Sequence, residues 1–280
     1  MHIERKIYFS VLLAFPLLCS CIGATKLVDH DFSFHKIAKS TKFEKTYLKT
    51  KYFTLAACYR FDKPGEPVNI YIEGDGNAWI SRARLSNNPT PREPLVLKLA
   101  SIDTNANVAY LARPGQYLEQ EKLNVDSCYW SNKRFSEEVI ASMDEAISEL
   151  AKLAKTDKIN LIGYSGGAAV AVLIAARRED VASLRTIAGN LDIEVVTKYH
   201  NVSPLIGSLN PIDFAKKIKN LPQRHFIGSK DTIVPSFVAE SFMARMGDKD
   251  YSRITVVEGA THSKGWGACW RELLTYPLSR

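Results

Sequence analysis

The chain has 280 residues, 46% of them hydrophobic and 24% charged, a balance that excludes intrinsic disorder and fits a packed globular protein. That length accommodates one large α/β domain. A formal net charge of +7 suits a solvated surface, and no nucleic-acid partner is expected from it.

Arg5 and Lys6 give a positive start, and residues 7–18 are then almost wholly apolar. That run is too short to span a bilayer as a stable helix but suits the apolar core of an export signal. It ends in Leu18-Cys19-Ser20-Cys21, which resembles the bacterial lipoprotein signal, in which a Leu three places before a Cys and a small residue just before it mark cleavage. The resemblance implies that residues 1–20 are removed and that Cys21 becomes the lipidated first residue. Each buried acyl methylene contributes ~0.8 kcal/mol, so several chains on one cysteine hold a protein on a membrane. A plain cleaved signal without lipid is the alternative. Ile22 in place of Asp after the cysteine implies, by the same resemblance, the outer membrane of the cell envelope.

Residues 22–51 carry seven lysines against Asp29, Asp31 and Glu44, so the stretch 21–51 reads as a basic tether. Beside a lipid anchor it would be drawn to anionic headgroups; otherwise it is a solubilising linker. Phe32, Phe34, Phe43 and Tyr47 suggest that part of it packs on the domain or begins a strand. Downstream, Cys58 lies in a strand-like run and reads as a small buried hydrophobe. Cys128 and Cys269 are the candidate disulfide pair.

From residue 52 to 280 strand and helix signals alternate. Strands are predicted at 52–61, 68–72, 108–111, 159–162, 186–188, 224–227 and 254–257. Helices are predicted at 93–100, after a Ser136 cap, and at 166–177, 213–219, 237–246 and 270–274. The long helix after Ser136 buries Val139, Met143, Ile147 and Leu150, with Glu137 and Glu138 in its first turn. Strands separated by helices predict an α/β fold, with a mostly parallel central sheet covered on both faces. Such sheets place their sites at the carboxyl ends of strands.

Gly163-Tyr164-Ser165-Gly166-Gly167 follows one strand and opens a helix rich in small residues. This strand–turn–helix setting resembles the nucleophile elbow of the serine α/β-hydrolases, the esterase- and lipase-like superfamily. The resemblance covers roughly residues 52–270. It implies that Ser165 is the nucleophile, activated by a neighbouring base. Of six histidines, His262 follows directly from the last strand, in Val257-Glu258-Gly259-Ala260-Thr261-His262, where this fold presents its base. Asp231, between a strand and Val234-Pro235, looks like the family's acid, with Asp192 as the fallback. The order Ser165, Asp231, His262 is that of the family.

The same resemblance implies an oxyanion hole built from two backbone N–H groups. One belongs to Gly166. The other comes from the loop after residues 68–72, where Glu73-Gly74-Asp75-Gly76 stands in place of the His-Gly pair of many relatives. Asp75 is the candidate donor, with Gly76 or Asn77 possible instead. Two long connections, 113–134 and 191–211, are expected to wall the pocket, offering Tyr117, Tyr129, Trp130, Tyr199 and His200 as lining residues or as plain packing.

The function expected from these residues is a membrane-anchored serine hydrolase that cleaves a carboxylic ester or thioester of a small-molecule or lipid substrate. Serine peptidase and acyltransferase activities stay open within the enzyme class, and a non-catalytic envelope lipoprotein is the competing class. No phosphate-binding loop ends in Lys-Ser or Lys-Thr, and no His/Cys/Asp/Glu set has metal-ligand spacing, so neither cofactor nor metal is expected.

Overall fold

The computed structural model describes residues 30–118, 125–247 and 250–278; the stretch expected as an export signal and Cys21 lie outside them. The strands are β1 (Glu44–Lys49), β2 (Thr54–Phe61), β3 (Val68–Ile72), β4 (Trp79–Ser81), β5 (Arg84–Leu85), β6 (Asn107–Leu111), β7 (Ile159–Tyr164), β8 (Val181–Ile187), β9 (Gln223–Gly228) and β10 (Ser252–Val257). The helices are α1 (His30–Ser40), α2 (Leu95–Ser101), α3 (Glu137–Leu153), α4 (Gly166–Ala175), α5 (Ile193–Tyr199), α6 (Ser236–Met246) and α7 (Trp266–Thr275).

Eight strands form one sheet in the order β1-β2-β6-β3-β7-β8-β9-β10, and β4 pairs with β5 in a small separate hairpin. Only β2 runs antiparallel to its neighbours; from β6 through β10 every pairing is parallel. The expected mostly parallel sheet is therefore present. Its two faces read off alternate residues of β3: Val68, Ile70 and Ile72 join the core under α3, α4 and α6, while Tyr71 joins the core under α1, α2 and α7. Every residue of α4 is buried, which its all-apolar sequence permits. The parallel alignment brings the carboxyl ends of β3, β7, β8, β9 and β10 to one edge.

The stretch expected as a tether folds in part. Phe34 and Ala38 of α1, Phe43 and Leu48 are buried in the core, and β1 pairs with β2 over its whole length, so the folded unit begins no later than His30. Lysines obscured this, because they occupy the outer face of α1 and an edge strand; charge on an edge strand blocks pairing with other chains. The disulfide expectation is also corrected: Cys58, Cys128 and Cys269 are all free, with only Cys58 buried. The segment expected as a helix at 213–219 is a 3-10 stretch at Pro211–Ile218. Among the described residues no helix is long and apolar enough to cross a membrane.

Candidate active site

β7 ends at Tyr164 and α4 starts at Gly166, so Ser165 alone makes the reversal between them, with φ 50° and ψ −118°. A residue with a Cβ adopts that conformation at a cost of order 1–3 kcal/mol, tolerated only where its neighbours over-determine it. Here they do: Ser165 N donates to Ile187 O at 2.9 Å, and its carbonyl accepts from Ala168 N and Asn190 N at 3.1 and 3.0 Å. A Cβ on Gly163 would lie 2.4 Å from the Gly167 carbonyl oxygen, so the strand and helix can meet this closely only with glycine there. The hydroxyl is left partly exposed above the sheet edge.

The loops after β9 and β10 bring two partners to it. His262 Nε2 lies 3.0 Å from Ser165 Oγ, and His262 Nδ1 lies 2.9 Å from Asp231 Oδ2. The Asp231 side chain is fully buried, and its other oxygen accepts from Ile233 N and Val234 N at 2.8 and 2.9 Å. An ionised carboxylate can only accept, so Nδ1 carries the proton and Nε2 is free to accept from the Ser165 hydroxyl. Trp266 Nε1 donates to the carbonyls of Thr261 and His262, both at 3.0 Å, fixing the histidine backbone from the start of α7.

The other sequence candidates are placed elsewhere. The Asp192 carboxylate caps α5 through Val195 N at 3.3 Å and accepts from Ser241 Oγ at 2.6 Å; it is not the histidine's partner. His225 is buried in β9, with Nδ1 2.8 Å from Thr186 Oγ1, and burial pushes its pKa down to about 3, so it stays neutral.

The loop after β3 lies over the start of α4. Gly74 N donates to Glu73 Oε1 and Asn77 N to the Pro89 carbonyl, while Gly74 O accepts from Gln116 Nε2. Asn77 is thereby removed as an oxyanion donor. The N–H groups of Gly166 and Asp75 have no acceptor among the described residues, and that of Gly76 has none either. The Asp75 carboxylate packs on Gly166, where a Cβ would meet its Oδ1 at 2.0 Å. It is gripped by Arg113 Nη1 at 3.4 Å and Arg134 Nε at 3.3 Å. Arg113 is itself buried, over the Phe135 ring, and its Nη2 donates to the Arg134 carbonyl. Sequence reasoning missed this clamp, since its members lie far apart along the chain.

A cleft of about 520 Å3 opens beside Ser165 and His262, walled by Glu73, Asp75, Pro91, Leu95 and Tyr164 and rimmed by Arg92, Glu93, Lys98 and Lys264. None of the five residues expected as lining is among its walls. Tyr117 stacks on Phe34 in the core, Tyr129 packs edge-on against Phe53, and Trp130 is buried with Nε1 donating to Ser86 O. Tyr199 packs on Phe237, while His200 Nε2 donates to the Ile233 carbonyl at 2.7 Å and so braces the acid loop from outside. Among the described residues no three His, Cys, Asp or Glu side chains converge as a metal site.

With this geometry in place, comparison with known proteins assigns a class. The family model described as serine hydrolase (FSH1) matches residues 97–262, more than half of the chain and a span that includes Ser165, Asp231 and His262. The chain belongs to that serine hydrolase family and has the α/β-hydrolase fold. Among solved structures it is similar to an esterase of Pyrococcus furiosus, with TM-score 0.59 and 16% identity over 86% of this chain and 94% of that one. Est1E from Butyrivibrio proteoclasticus aligns with TM-score 0.57 and 15% identity, over 82% and 97% of the two chains. An acylaminoacyl peptidase of Pyrococcus horikoshii aligns with TM-score 0.58 and 14% identity over 82% of this chain, which spans 39% of that enzyme. No curated protein sequence matches the chain significantly.

Proposed function

We propose that the protein hydrolyses a carboxylic ester or thioester through Ser165, His262 and Asp231. The continuous hydrogen-bonded line from Ser165 Oγ through the imidazole to a buried carboxylate carries this reading. Ser165 Oγ attacks the acyl carbon while Nε2 takes its proton, and Asp231 stabilises the resulting imidazolium through Nδ1–H. The oxyanion is received by the N–H groups of Gly166 and Asp75. His262 then protonates the departing alcohol or thiol, and later deprotonates the water that attacks the acyl-enzyme and frees the acid. Replacing Ser165 with Ala should abolish both fluorophosphonate labelling and esterase activity while leaving Tm nearly unchanged. Undiminished labelling in that variant would remove the assignment.

We further propose that the enzyme lies in a bacterial cell envelope, held at the outer membrane by acyl chains on Cys21. The Leu18-Cys19-Ser20-Cys21 run supports it, and α1 begins soon after that cysteine, so the domain would sit close to the bilayer. Cys21→Ala should move the protein from the membrane fraction to the soluble one. Retention on membranes would argue against lipidation.

A further inference from the structure

The charges around the cleft do not cancel. Each carboxylate on its wall already has a partner: Glu73 is buried and accepts from Gly74 N and Tyr110 OH, Asp75 is held by two arginines, and Glu93 pairs with Lys98 Nζ at 2.5 Å. Two exposed cations on the same wall have none. The Arg92 guanidinium and the Lys264 ammonium make no hydrogen bond or ion pair among the described residues, and they belong to the segments that carry Glu93 and His262. Pro91, Leu95 and Tyr164 add apolar surface to the same wall, against which the aliphatic part of an acyl group can pack.

We propose that this cleft takes acyl substrates bearing a carboxylate or another anionic group, which Arg92 and Lys264 hold while the acyl carbon lies at Ser165. The inference rests on the assignment of Ser165 as nucleophile and adds the substrate's charge to it. A planar guanidinium forks onto two oxygens of an oxyanion, and the lysine adds a point charge. Both cations are exposed, so together they supply modest binding that weakens as salt rises. A neutral lipid ester gains nothing from either.

The test compares two nitrophenyl esters of equal length, that of pentanoic acid and the monoester of glutaric acid, in which a carboxylate replaces the terminal methyl group. With uncatalysed rates subtracted, kcat/KM for the charged ester should exceed that for the neutral one by roughly tenfold at low salt, the order that two exposed ion pairs supply. The ratio should fall towards one in the variant combining Arg92→Gln and Lys264→Gln. It should persist in a charge-matched control combining Lys152→Gln and Lys155→Gln, at the end of α3. Ser165-dependent turnover with no preference for the charged ester overturns the inference and leaves the nucleophile standing. A preference that survives the Arg92 and Lys264 changes, or falls equally in the control, also overturns it. Absence of both turnover and fluorophosphonate labelling would remove the assigned nucleophile, and this inference with it.

Discussion

Two loops at the same edge of the sheet, after β8 and after β9, use an aspartate in almost the same way. In each, the carboxylate leaves a parallel strand and accepts backbone N–H groups from the segment that follows: Val195 N for Asp192, Ile233 N and Val234 N for Asp231. The difference lies in the second oxygen. Asp192 faces Ser241 on α6, whereas Asp231 faces an imidazole delivered by the loop after β10. One contact fastens a helix; the other orients a base. Local hydrogen bonding therefore makes an aspartate a turn-former, and only the partner brought by another strand gives it a chemical role.

The largest expected effect breaks the second oxygen's contact alone. Asp231→Asn keeps a side-chain oxygen for Ile233 N and Val234 N but offers an amide to His262. The imidazole would then present the wrong tautomer to Ser165, and kcat should fall about ten-thousandfold with Tm little changed. Kinetics and thermal unfolding on the same sample check both halves.

The next effect tests whether the neighbouring carboxylate, Asp75, acts through its position over α4. Gly166→Ala would drive a methyl group into Oδ1 of Asp75 and displace the loop that carries the second oxyanion donor. A loss of roughly a hundredfold in kcat, with KM changed much less, is expected for one misplaced donor. A comparable rise in KM with kcat unchanged would mean that the loop binds substrate and transition state alike.

Glu73 extends the comparison to a carboxyl whose partners are too few for its burial. Desolvation pushes its pKa up to about 7 despite the Gly74 and Tyr110 hydrogen bonds. A raised carboxyl pKa means that the folded protein holds the proton better than the unfolded chain does. The stability it contributes is full below the unfolded value of 4.5 and is lost as pH rises through about 7. The loss amounts to roughly 3 kcal/mol and should be absent in Glu73→Gln, as urea unfolding across that range would show.

What the sequence disclosed follows the same division between local and distant chemistry. β3 is found over the residues predicted for it, and the turns carrying Ser165, Asp231 and His262 were legible because small residues and a Val-Pro pair are written contiguously. α5 was missed because Ile193-Glu194-Val195-Val196 has no clear helical period; its signal was Asp192 at the cap position. The cleft wall was misread for a further reason. Aromatic residues in long connections look like a binding surface, but Tyr117 and Trp130 satisfy core packing. The actual wall consists of short charged segments whose meeting depends on strands far apart in the chain.

The smallest effect completes the contrast between the two loops. Asp192→Ala removes a helix cap and the acceptor of the Ser241 hydroxyl, but it leaves Ile193 N bonded to Asn210 Oδ1 and touches neither Asp231 nor His262. A lost cap costs about 1 kcal/mol, which for a domain of this size lowers Tm by about 2–4 °C. kcat/KM should stay within about twofold of the parent, as for sites that share no partner. If activity fell as far as in Asp231→Asn while Tm held, the loop after β8 would have to supply the acid, and the assignment of the two aspartates would be reversed.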